Sequence, residues 1–240
     1  MATGRTHAAC GLTAYVGAVS WAHESGYVLD LATVITLAPL AAGAALLPDL
    51  DHPDATMARS LGWPSRQLAR LVSTLGGGHR GLTHSLTGAA VFGGLGQLAL
   101  AWRDTVSGQI GLSILVALLI ASAVRVCGIR GWLDDAVGIA LGPFLVGAGV
   151  PLDGLPLVVA GGCLVHLIGD LPTDRGLPLL WPMRGCVRLP RALTFKVDGP
   201  AERRVIFPAV MVALAVCAGW GSGLWALLGD AFATFQLLPS

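Results

Sequence analysis

Apolar stretches approaching the width of a bilayer recur seven times along this chain. They run roughly over 8–22, 28–48, 83–102, 109–127, 135–150, 155–171 and 205–229. A spanning helix needs about 20 apolar residues, within a range near 17–25. The second, third, fourth and seventh stretches meet that comfortably. The first, fifth and sixth are short and glycine-rich, as tilted, broken or re-entrant segments are. Composition points the same way. Hydrophobic residues make up 54% of the chain and only 12% are charged, too little polar surface for a soluble protein of 240 residues. Disorder needs the opposite balance. The net charge of +1 argues against direct nucleic-acid binding. The five cysteines contain no C-x-x-C pair and form neither a disulfide framework nor a zinc ribbon. The expected fold is all-α: a polytopic transmembrane helical bundle of six or seven spans, forming a single membrane-embedded domain over 1–240.

The positive-inside rule orients the bundle. With seven spans, fourteen of the fifteen basic residues fall on one side and Arg103 alone on the other. The N-terminus is therefore expected in the cytoplasm and the C-terminus outside, in the inner (plasma) membrane. A signal peptide over the first stretch would need fewer polar residues than it holds. Two longer cytoplasmic loops, 49–82 and 172–204, carry or flank the polar motifs. Within the first, Leu61, Leu68, Leu71, Val72 and Leu75 share a helical face and Arg66 and Arg70 another. That pattern suits a helix lying on the membrane surface or one packed on the protein's own core.

Five of the six histidines and three aspartates collect on the expected cytoplasmic side, each at an end of an apolar stretch. Polar groups placed there cost free energy unless they pair or bind something. Leu47-Pro48-Asp49-Leu50-Asp51-His52-Pro53 follows the second stretch. In extended chain Asp49 and Asp51 point to one face and can grip one cation or bridge two; an ordinary solvated turn is the alternative. Gly76-Gly77-Gly78-His79-Arg80-Gly81-Leu82-Thr83-His84-Ser85 puts two histidines at a glycine-freed helix start, with Thr83 or Ser85 as cap. His166 and Asp170 are four apart and share one helical face, a spacing for a ligand pair or a buried His–Asp pair. His7, just before the first stretch, adds a fourth segment.

Eight candidates, His7, Asp49, Asp51, His52, His79, His84, His166 and Asp170, are too many for one zinc ion, which takes three or four ligands, and about right for two. Histidine with carboxylate and no cysteine suits zinc first, with manganese or iron also accommodated. A pair of such ions is a common clamp for phosphoester hydrolysis.

These motifs, Thr6-His7, Leu-Pro-Asp-Leu-Asp-His-Pro at 47–53, His-Arg-Gly-Leu-Thr-His-Ser at 79–85 and His166-x3-Asp170-x2-Thr173 running into Leu-Trp-Pro at 180–182, resemble those of the YdjM-type membrane-bound metal-dependent hydrolases, also described as LexA-binding and inner-membrane-associated. The resemblance extends over about 5–204. It implies a divalent metal site and a hydrolase activity, and supplies no substrate. The chain departs from the pattern at Asp54-Ala55, where members often carry Asn-Ser, and matches a late Gly-x-x-Glu loosely with Gly199 and Glu202.

On this reading the ion or ions lower the pKa of water to near 7 for attack on an ester or phosphoester. Asp51 or Asp174 takes a proton, and Arg80 holds an anionic oxygen. The expected surroundings are membrane lipids, with an amphipathic, lipid-like phosphoester as substrate. The alternative is a non-enzymatic membrane scaffold with a structural metal site. The LexA-binding label implies a repressor partner, for which no residue pattern speaks independently.

Overall fold

The computed structural model describes residues 3–220 other than 28, 130 and 184. Its α-helices are α1 (Gly4–Glu24), α2 (Leu31–Ala44), α3 (Gly62–Leu75), α4 (Leu86–Ala101), α5 (Val106–Val126), α6 (Trp132–Gly147), α7 (Leu155–Asp170) and α8 (Phe207–Gly219). No strand occurs among the described residues; isolated bridges Thr173–Phe195 and Leu177–Val187 tie down the segment after α7. Each apolar stretch of the sequence contains a helix, and the amphipathic 61–75 stretch forms α3. Residues 221–229 of the last stretch, and with them the side on which the chain ends, lie outside the described residues.

Helix lengths do not match the lengths of the stretches. Among the described residues one helix, α5, is long and apolar enough to cross a membrane. Helices α2, α4 and α7 are apolar but have 14, 16 and 16 residues. At 1.5 Å per residue that is about 21–24 Å, short of a hydrocarbon core of about 30 Å. The shortening has local causes. α2 ends at Ala44 because the chain tightens into a 3₁₀ turn, Leu47–Asp51, with Pro48 at its start. Ser85 begins α4 and Thr105 begins α5 by accepting from Gly88 and Gly108 N–H, satisfying otherwise orphaned donors.

α2 is central, packing on α1, α5 and α7; α5 packs on α6, α4 on α7 and α1 on α8. The contacts are made by small residues. A Cβ on Gly43 would stand 2.2 Å from the Leu119 carbonyl oxygen of α5. Gly138 and Gly142 of α6, four apart, would clash in the same way with the Ala117 and Ser113 carbonyls. Close backbone approach through small residues is how helices associate where lipid removes the hydrophobic drive. Large apolar residues point outward instead: Ile110 and Ile114 on α5, Phe144 on α6, Leu157 and Ile168 on α7, Val212 and Val216 on α8. Apolar surface on this scale marks a face that water does not cover. α3 follows the same rule. It buries Ser65 and Ala69 and exposes Trp63, Leu71 and Leu75.

Candidate metal centre

The interior beneath the 49–82 loop is polar. His7, His84, His166 and Asp170 have no exposed surface, and Asp51 is 1% exposed. Four chain segments deliver them: the first turn of α1, the 3₁₀ turn after α2, the short helix Leu82–His84, and the last turns of α7.

His166 is set by helix packing. Gly162, one turn earlier on α7, lets the backbone close on Ala44 and Ala45, where a Cβ would meet Ala44 Cβ at 2.6 Å. His166 Nδ1 then lies 2.7 Å from the Ala45 carbonyl oxygen. A carbonyl accepts only, so Nδ1 carries the proton and Nε2 presents a lone pair to the interior. His84 is set by a carboxylate. Its Nδ1 lies 3.3 Å from Asp51 Oδ2 and 3.1 Å from Thr83 Oγ1, so its Nε2 also faces inward. A carbonyl or carboxylate behind each ring is the usual arrangement around metal-ligating histidines.

The two inward nitrogens meet two carboxylates. His84 Nε2 is 3.5 Å from Asp49 Oδ1 and 4.0 Å from Asp170 Oδ2; His166 Nε2 is 3.8 Å and 4.0 Å from the same two oxygens. Ligands at zinc–ligand distances of about 2.0–2.1 Å in a tetrahedron stand about 3.3 Å apart, so the Asp49, His84 and His166 atoms, which form one group close enough to hold an ion, need only contract around it. These three, Asp49 Oδ1, His84 Nε2 and His166 Nε2, are buried with no hydrogen-bond partner. Orphaned buried polar atoms are costly, and a shared cation satisfies them together. The residues therefore fit a divalent metal. His7 adds to it: its ring stacks on His166 at 3.7 Å, its Nε2 is 3.3 Å from Asp170 Oδ1, and both its nitrogens are otherwise orphaned. Asp170 thus turns one oxygen to His7 and the other toward His84, His166 and Arg80.

Asp49 and Asp51 do not share a face. The sequence expectation assumed extended chain, where residues two apart align; the 3₁₀ turn rotates them apart. They hold His84 from opposite sides, Asp49 at Nε2 and Asp51 at Nδ1. Both Asp51 oxygens are engaged, Oδ1 with His79 Nδ1 at 2.8 Å and Oδ2 with Arg80 N–H and Thr83 O–H. Burial opposes ionisation of Asp51, but the His79 and His84 contacts outweigh it and hold its carboxyl well below the usual range. Asp49 is likewise lowered: burial raises it, and the charges of the facing imidazoles lower it more. Burial disfavours the charged His84 imidazolium, yet the two carboxylates push its pKa up to about 9.

Arg80, expected to hold an anionic oxygen, lies against a carboxylate of the protein itself. Its guanidinium donates to Asp170 Oδ2 at 2.6 Å and to the Gly176 carbonyl at 2.7 Å. Its backbone takes φ of 62°, a strained value for a residue with a Cβ, and the hydrogen bonds to Asp51, Gly176 and Asp170 hold it there. Gly77 and Gly78 before it take positive φ without strain. His52 stays half-buried, edge-on to His79 at 4.9 Å, its Nδ1 accepting from Asp54 N–H. Asp174 is exposed and belongs to none of the three groups that can hold an ion, which are His7–His166–Asp170, Asp49–His84–His166 and Asp51–His79–His84.

Two supports escape sequence reasoning. Thr83 reads as a helix cap, but its hydroxyl donates to Asp51 at 2.5 Å while Ser85 does the capping. Glu202 matched only loosely, yet it is fully buried and accepts from Thr3 N–H, Thr6 O–H and Asp198 N–H. It fastens the 198–206 segment to the first turn of α1, beside His7.

Comparison with known proteins agrees with the site motifs. The YdjM inner membrane protein family matches residues 1–229. The chain is 32% identical over 154 residues to the inner membrane protein YdjM of Escherichia coli (strain K12), and equally to that of Shigella flexneri. Each match covers 64% of this chain and 53% of the relative, so the chain spans about half the length of these relatives. No solved structure matches. With the motifs and nearly the whole length matched, the chain belongs to the YdjM inner membrane protein family.

Proposed function

We propose that this protein is a multi-pass inner-membrane hydrolase of six or seven spans. Its N-terminus and metal centre face the cytoplasm, and it cleaves an ester or phosphoester at the membrane interface. The observation that carries the reading is the convergence of Asp49 Oδ1, His84 Nε2 and His166 Nε2, all buried, without a hydrogen bond and close enough together to share one ion. His166 also belongs, with His7 and Asp170, to an adjoining group close enough to hold an ion. Histidine and carboxylate without sulfur suits zinc, manganese or iron. Such an ion supplies Lewis acidity and makes water a nucleophile at neutral pH.

The chain's own residues prepare the rest. Asp51 and the Ala45 carbonyl fix the tautomers of His84 and His166. Arg80 offsets the charge of Asp170, keeping the donor set from excess negative charge. His79 is the group suited to move a proton. Its side chain is 24% exposed, and Asp51 orients it through Nδ1. An imidazole held by a carboxylate is a common general base. The exposed apolar face of α3 suits the membrane surface and brings the loop holding His79 to it.

One observation favours a second reading. His84, His166 and Asp170 are completely buried, as in closed structural sites. The test is elemental analysis of detergent-purified wild type, His84→Ala and Asp170→Ala, with a screen of esters and phosphoesters. Metal in wild type only, with turnover, supports the hydrolase. Metal without turnover favours the scaffold. Near-zero metal in all three overturns both.

A further inference from the structure

An apolar groove of about 400 Å³ runs between α1, α2 and α7, a volume within the range of ligand pockets. On α1 it is lined by Gly11, Ala14, Ala18 and Ala22. These continue the helical face of His7, at steps of three or four residues. On α7 the lining residues Val158 and Gly162 continue, one turn on, to His166; on α2, Leu37 and Ala41 lead to Ala45, whose carbonyl holds His166. All three walls therefore end at the metal centre. The hydroxyls of Tyr15 and Thr33, also in the groove, are spent on the Val34 carbonyl at 3.0 Å and on Asp30 at 2.9 Å, so the walls are mostly hydrocarbon.

The length is telling. From Gly11 to Ala22 α1 rises about 16 Å, and one leaflet of hydrocarbon is about 15 Å deep, half of about 30 Å. The α1 wall is mostly glycine and alanine, and α7 adds Gly161 and Gly162, which leaves a slot the width of a chain, whereas outward faces of the same helices carry large residues such as Trp21, Ile35 and Ile168. Gly161 opens onto the slot: a Cβ there would meet nothing within 4 Å.

We propose that the groove seats one acyl chain of a membrane lipid, drawing the lipid's headgroup ester or phosphoester to the histidine–aspartate centre. The inference rests on the hydrolase reading for what happens at the centre, and on the groove alone for the binding.

The test uses a single-chain lysophospholipid with a photoreactive diazirine at the chain terminus. It is added to the full-length protein in phosphatidylethanolamine–phosphatidylglycerol vesicles, and labelled peptides are mapped. Labelling should concentrate at the end of the groove far from the metal, around residues 18–22, 29–34 and 154–158. Gly161→Leu fills the slot and should cut this labelling at least tenfold, with metal content unchanged. Gly111→Leu, on the outer face of α5, should leave it intact. Labelling spread evenly over α5, α8 and the groove, and indifferent to Gly161→Leu, means annular lipid only and overturns the proposal. Cross-linking of the groove to a second copy of the chain overturns it as well. Wild type that purifies without metal, takes up none and still labels the groove upholds the slot and overturns the hydrolase reading, so the two failures are separable.

Discussion

Asp51 Oδ2 stands 3.3 Å behind His84 Nδ1, while His84 Nε2 looks away from it into the buried centre. On the proposed reading this carboxylate, which the sequence suggests as a ligand or base, braces the ligand His84. Removing such a brace typically costs 10–100-fold in metal affinity. Asp51→Asn should therefore weaken metal binding by about that factor, whereas His84→Ala should abolish it. Competition against a chromophoric chelator distinguishes them, and equal losses would return Asp51 to the ligand set.

The Arg80–Asp170 pair is buried, with side chains 10% and 0% exposed. Arg80→Ala leaves a carboxylate with less compensation, at a cost on the order of 3 kcal/mol. The loss should be large in chelator-treated protein and smaller with metal present, because an ion substitutes for the missing positive charge. Denaturation in detergent with and without chelator measures it. The same loss in both states would show that Asp170 does not face the ion.

His84 predicts a pH effect. Its folded pKa of about 9 lies above the ordinary 6.5, so protonation stabilises the metal-free fold. That contribution is complete below about pH 6.5 and is lost as pH rises through about 9. Metal needs the neutral ring. Metal-free protein should thus lose thermal stability across this window while metal affinity rises, with proton release on binding detectable by calorimetry in two buffers. Flat behaviour in both would contradict the assignment.

Gly43→Ala places a methyl 2.2 Å from the Leu119 carbonyl, forcing α2 and α5 apart. Overpacking of this kind costs about 1–3 kcal/mol. Gly94→Ala, where nothing lies within 4 Å, should instead stabilise by up to about 1 kcal/mol through helix propensity. Unfolding midpoints of the pair in one detergent give the comparison.

What was legible in the sequence was local. The i, i+4 spacing of His166 and Asp170 survives because α7 is helical there. The order of apolar stretches reads directly as the order of helices. What escaped was conformation at the breaks and contact at a distance. Asp49 and Asp51 change roles because Pro48 leads into a 3₁₀ turn rather than extended chain. Arg80 turns inward because its backbone amide is held by Asp51, 29 residues earlier. Asp174 looked useful by proximity to Asp170, but the turn after α7 carries it to the surface. Helix length was overestimated at α2 because hydropathy does not register where a helix tightens.

Glu202 binds Thr6 across 196 residues of chain, and His7 meets Asp170 across 163. A ribosome feeding this protein into a membrane delivers the first donor long before the last. Until α7 and the segment after it have been inserted, His7 and His84 have no completed pocket to enter. On the proposed reading, metal capture is thereby deferred until that segment is in place, and a chain cut short before Asp170 lacks the residue that meets His7.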